Sequence, residues 1–290
     1  MKRSNLFFLL LVSLLVLCSI PGFQSAAYAH SPLAHHVPFL HTRQYDAKYT
    51  QNGANLLYAN GPIMPGAVKV YVVFWEPGGS YTSTGYNQLI LRYFNDIGFS
   101  GLYRNNMQYI DSSGEAPRGS LLAGSWVDSA PYPSQKLSDV QARQEISRAM
   151  GINGWSASIS HLFFVFTAKD ETICAGTGCG FTDFCAYHSH FAGPVIYAIV
   201  PYAATNLAAC GVPESPNGDI DAESTISVAS HEQMESVTDP LQNAWLDRSG
   251  DEIGDKCMWN FGGVMTVRGH PYLVQEEWDN ARSSCVLAGP

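Results

Sequence analysis

Three apolar runs, set among helix-like stretches, constrain this chain most. Residues 67–75 read Ala-Val-Lys-Val-Tyr-Val-Val-Phe-Trp, and residues 161–168 and 194–201 are similarly rich in β-branched and aromatic side chains. Each predicts a buried strand. Between the first two, residues 86–97 place Leu89, Ile90, Tyr93, Phe94 and Ile97 at helical spacing. Residues 134–150 predict a second helix with Ser138 as its cap. Residues 221–237 predict a third, capped by Asp221 and stopped near Pro240. Shorter strands are expected at 107–110, 264–267 and 272–274. Strands alternating with helices predict an α/β fold: a single layered domain around a mixed central sheet.

The N-terminus sets the compartment. Lys2 and Arg3 precede an apolar run over residues 6–20, and Ala27-Tyr28-Ala29 supplies a small-x-small cleavage pattern. Residues 1–29 therefore read as a signal peptide and His30 as the mature start. An uncleaved anchor is the competing reading, but the run is short for a span and Pro21-Gly22 breaks it. Leu17 before Cys18 is too large for a lipoprotein signal. Residues 30–57 are polar, carry His30, His35, His36 and His41, and read as a flexible lead-in. The folded domain is expected over residues 58–290. The expected destination is extracellular, with no membrane association after cleavage.

Six cysteines follow the leader: Cys174, Cys179, Cys185, Cys210, Cys257 and Cys285. An even number in an exported chain predicts three disulfides. No Cys-x-x-Cys pair supports a zinc cluster instead. Cys257 with Cys285 is the expected pair in the C-terminal segment. Net charge is −9 for the whole chain, and losing Lys2 and Arg3 with the leader makes it about −11. That balance disfavours nucleic acid and anionic membranes as partners.

The chemistry concentrates in Ser230-His231-Glu232-Gln233-Met234-Glu235, a His-Glu-x-x-Glu pattern on the third helix. His231 and Glu235 stand one turn apart on one face, so both reach a single zinc ion. Glu232, beside the first ligand, is the expected general base toward an activated water, as in His-Glu-x-x-His metallopeptidases. Ala222, Ile226, Ala229 and Val237 cluster on one side of the helix, with His231 and Glu235 roughly opposite, so the ligands are expected to face a cleft. An ordinary amphipathic helix with a solvated His and Glu is the plainer alternative.

Downstream, Asp247, Asp251, Glu252 and Asp255 crowd one short segment. Glu252 is the expected third ligand, with Asp255 and His188 as alternatives; an acidic surface or Ca²⁺ loop competes, though EF-hand spacing is absent. His188 and His190 form a His-x-His pair that a strand points to one side. No Gly-x-Ser-x-Gly supports a serine nucleophile, and paired cysteines leave no thiol nucleophile.

Several short segments stand in order along more than 200 residues: Asn60-Gly61-Pro62-Ile63, Phe74-Trp75, Cys179-Gly180-Phe181, Tyr197-Ala198-Ile199-Val200, Val237-Thr238-Asp239-Pro240 and Trp278-Asp279. On these the chain resembles the Exordium-like, or phosphate-induced, secreted proteins of plants and their bacterial relatives. The resemblance implies an extracellular or cell-wall protein tied to growth, with no established enzymatic activity in the plant members. This chain departs from the plant pattern in reading Thr238-Asp239-Pro240 where Thr-Asn-Pro is expected, and in carrying His-Glu-x-x-Glu. It resembles a bacterial-type member that keeps a metal site. The residues themselves predict a zincin-type, zinc-dependent hydrolase acting on extracellular peptide, protein or cell-wall substrate. The alternative is a non-catalytic extracellular binding protein with a structural or vestigial metal.

Overall fold

The three apolar runs become neighbours in one six-stranded sheet of the computed structural model, which describes residues 39–46 and 53–289. The predicted signal peptide lies outside those residues. The sheet comprises β1 (Phe39–His41), β2 (Gly66–Trp75), β3 (Pro117–Asp128), β4 (His161–Thr167), β5 (Phe184–Phe191) and β6 (Val195–Val200), in the order β1-β5-β6-β4-β2-β3. Neighbours β6, β4, β2 and β3 run parallel, whereas β5 is antiparallel to both β6 and β1. The sheet is therefore mixed, as the alternating pattern predicts.

Helices cover both faces, which explains why the central strands are apolar on both sides. Val68, Val70, Val72 and Phe74 of β2 join Leu162, Phe164 and Phe166 of β4 against α1 (Tyr86–Asp96) and α3 (Ile220–Thr238). The alternate residues Tyr71, Val73, Trp75, Phe163 and Val165 pack toward α2 (Asp139–Asn153). Ser138 caps α2 in a reciprocal box with Gln141, and Gly154, at φ 68°, ends it. The described residues belong to one compact unit.

Some expectations need correction. Residues 107–110 are not a strand: Asn106–Gln108 is a 3₁₀ turn following the Ser100-capped helix Gly101–Asn105. The long strand β3 carries little sequence signal, because Gly119, Gly124 and alternating exposed positions dilute its apolar pattern. Asp219, not Asp221, caps α3, accepting from the backbone of Asp221 and Ala222. Within residues 30–57, Phe39–His41 is an edge strand and Leu40 is buried. The third helix also lacks the expected wet face. Its residues 222–238 are all buried, because β5 and β6 pack on one side, α1 on another, and C-terminal loops close the remainder.

Candidate metal centre

Small and polar residues let α3 sit in the interior, and several of its buried polar groups find partners. Thr225 Oγ1 accepts from Tyr86 at 2.9 Å, and Leu273 N donates to Glu223 at 2.7 Å. Gln233 Oε1 accepts from the Tyr93 hydroxyl at 3.1 Å, and Gln233 Nε2 donates to Ser120 Oγ at 3.1 Å. The motif residues beside Gln233 are different. They face one another and a set of further acids.

His231 Nε2 lies 3.0 Å from Glu235 Oε1, one turn along the helix, and 3.9 Å from Asp255 Oδ1. His188, on β5, enters from the sheet. Its pairing with Ala198 places it on the α3 face, and His190 follows two residues on. His188 Nδ1 is 3.3 Å from Glu232 Oε2 and 3.5 Å from Glu235 Oε2; its Nε2 is 3.5 Å from Glu252 Oε2. Two donor sets result, His188–Glu235–Glu252 and His231–Glu232–Glu235, each with its ligand atoms within 4.8 Å of one another. Glu235 belongs to both.

The third-ligand candidates thus separate. Glu252 and His188 meet each other and Glu235, while Asp255 stands on the His231 side. Glu232 is not set back from the donors but lies among them. His231, Glu232, Glu235 and His188 are fully buried, and Glu252 is 2% exposed; the expected cleft is a closed interior.

The loop carrying Glu252 and Asp255 is tied down from several sides. Asp247 Oδ1 accepts from the backbone of Ser249 and Asp251, and Lys256 Nζ reaches Asp247 Oδ2 at 3.3 Å. Trp278 N donates to Ile253 O, Asp255 N donates to Glu235 Oε1 at 3.0 Å, and Cys257–Cys285 closes the base. Gly254 packs directly over the His231 ring: a Cβ there would lie 2.6 Å from Nδ1.

Two further acids lie beside the motif residues. Glu277 is fully buried, with neither carboxyl oxygen hydrogen-bonded among the described residues, and its foremost charged neighbour is His231. Asp239 holds the turn after α3, accepting from Asn243 N and Ala244 N at 2.6 and 2.7 Å. Nothing in spacing from His231 marks Glu277; its only sequence signal is its place beside Trp278-Asp279.

The electrostatics are those of an acid excess out of water. Burial alone would raise Glu235, but the charge of His231 and the hydrogen bond from His188 hold it at about 2. Burial would lower His231, yet the charge and hydrogen bond of Glu235 raise it to about 10. His188 is likewise held well above its ordinary value, chiefly by Glu252 against the effect of burial. Burial pushes Glu232 up, and pushes Glu252, Asp255 and Glu277 well above the usual carboxylate range. Two imidazoles face Glu232, Glu235, Asp239, Glu252, Asp255 and Glu277. Buried carboxyls in such excess over the imidazoles must either stay protonated, the direction in which burial pushes them, or be joined by a cation. His188 Nε2, Glu232 Oε1 and both Glu277 oxygens also lack hydrogen-bond partners among the described residues. These unpartnered donors fit a divalent metal ligated by nitrogen and oxygen.

The compartment markers agree with this chemistry in part. Three disulfides form, Cys174–Cys179, Cys185–Cys210 and the expected Cys257–Cys285. They suit an oxidising environment. No described helix is long and apolar enough to cross a membrane.

No family model matches the chain. Protein EXORDIUM-like 5 of Arabidopsis thaliana is 27% identical over 297 aligned positions, spanning 83% of this chain and 79% of the relative. Protein EXORDIUM-like 3 of the same plant is 24% identical over 290 positions, spanning 81% and 84%. Both matches support membership of the Exordium-like family, which the ordered segments of the sequence suggest.

Proposed function

We propose that this Exordium-like chain is a secreted metal-dependent hydrolase, peptidase-like in chemistry, with zinc the first expectation. The observation that carries the reading is the meeting of His188, Glu235 and Glu252, from a strand, a helix and a loop, with ligand atoms within 4.8 Å of one another. One imidazole and two carboxylates would hold the cation. When bound, zinc supplies Lewis acidity toward a water and a substrate carbonyl. Glu232 then accepts the proton: its Oε2 leans on His188, and its Oε1 has no hydrogen-bond partner among the described residues. His231 orients Glu235 through the 3.0 Å contact, and Gly254 seats the His231 ring. Two carboxylates on one zinc weaken its Lewis acidity, so slow turnover on an extracellular peptide or cell-wall bond is expected.

The test uses tag-free mature protein, stripped with chelator and reloaded with one equivalent of zinc. Glu232→Gln should keep that zinc and lose about 10²- to 10⁴-fold in cleavage of a mixed peptide library. Full activity in the variant overturns the role of Glu232.

Complete burial of the donors favours a second reading, a non-catalytic extracellular binding protein with a structural metal. Structural zinc sites are closed, whereas catalytic ones keep an open position. Stoichiometric zinc with no cleavage across the library selects this second reading.

A further inference from the structure

The geometry points to a second, weaker cation site on His231, Glu232 and Glu235, whose occupation removes Glu232 from proton transfer and so switches the centre off. The inference rests on the hydrolase reading above and concerns its regulation.

The carrying observation is the division of Glu235. Its Oε1 lies 3.0 Å from His231 Nε2, while its Oε2 lies 3.5 Å from His188 Nδ1. One carboxylate therefore offers one oxygen to each donor set. An independent observation concerns Glu277, whose foremost charged neighbour is His231. Glu277 is fully buried with two unpartnered oxygens, and Glu232 Oε1 is unpartnered as well. One divalent ion at His188–Glu235–Glu252 leaves these acids without a counter-charge. A second ion between His231, Glu232 and Glu235 neutralises them and gives Glu232 Oε1 a partner.

The two sites cannot be equal. The first ion engages Glu235 and repels a second charge nearby, so the second should bind roughly tenfold or more weakly. A carboxylate bound to a cation is a poor proton acceptor. Cleavage should therefore rise to a maximum near one equivalent of zinc and fall as the second site fills.

Zinc alone is the probe, titrated into stripped, tag-free mature protein and counted by isotope-dilution mass spectrometry. Wild type should saturate at two ions per chain in two resolved steps. Glu232→Gln and His231→Ala should each saturate at one, retaining the tight step; Glu252→Gln should lose the tight step. Circular dichroism excludes variants that fail to fold, and the wild-type count needs no variant. Saturation at one ion overturns the second site and leaves the hydrolase reading intact. No zinc at all overturns both. Two ions persisting in both Glu232→Gln and His231→Ala would place the second ion elsewhere, for example on the histidines of residues 30–41, and would overturn the inference.

Discussion

At the residue scale, the centre depends on a few close contacts. Gly254 is required by proximity and not by backbone angle, since its φ is −79°. A methyl at Gly254 meets His231 Nδ1 at 2.6 Å and Glu235 Oε1 at 3.0 Å. Gly254→Ala should therefore cost about 1–3 kcal/mol by overpacking, and it should weaken zinc binding at His231 while far-UV dichroism stays native. Unchanged zinc titrations in a folded Gly254→Ala protein would show that the contact is not what seats the ring. His188 illustrates the limit of local reading. The sequence marks it as a candidate, but only the pairing of β5 with β6 turns it toward α3.

At the element scale, two restraints make separable predictions. Cys257–Cys285 anchors the loop that presents Glu252 and Asp255, and it joins that loop to the hairpin of Glu277–Asp279 and Ser284–Val286. Replacing both cysteines with serine should lower stability by about 2–5 kcal/mol and weaken zinc binding more than loss of Cys174–Cys179, which closes a hairpin that carries none of the donor residues. Equal zinc affinities in the two double mutants would dissociate the loop anchor from the site. On the other sheet face, burial and the neighbouring Asp128 carboxyl push Glu145 of α2 up to about 8, against the attraction of Arg148. A carboxyl raised in the folded state favours folding while protonated. Its contribution is full below its ordinary value of 4.5 and is lost as pH rises to about 8. Melting temperatures at pH 5 and pH 8.5 should thus differ less for Glu145→Gln than for wild type. Identical pH slopes would refute the assignment.

At the scale of the whole molecule, the buried acids should make folding and metal binding one equilibrium. Stripping zinc should lower the melting temperature by roughly 5–10 °C if ligand is present near 100-fold above its dissociation constant, and reloading should restore it. A chelator that removes the metal without moving the transition would argue against a centre in the core. Thiol titration of the denatured, unreduced mature chain should read about zero, because its six cysteines are paired. What the sequence determined by itself was local or compositional: the apolar strands from their β-branched runs, the Ser138 cap of α2, the disulfide count, and the His231–Glu235 pair, whose spacing is set by helix geometry. Strand β3 and the 3₁₀ turn at Asn106–Gln108 were illegible, since weak patterns there are overruled by pairing with β2 and by the caps around them. Tertiary structure alone decided that α3 is buried on every side, that Glu252 meets His188 and not His231, and that Glu277 joins the cluster. Those facts depend on which strand, loop and hairpin pack around one helix, and residues far apart in the chain carry no periodic signal of that contact.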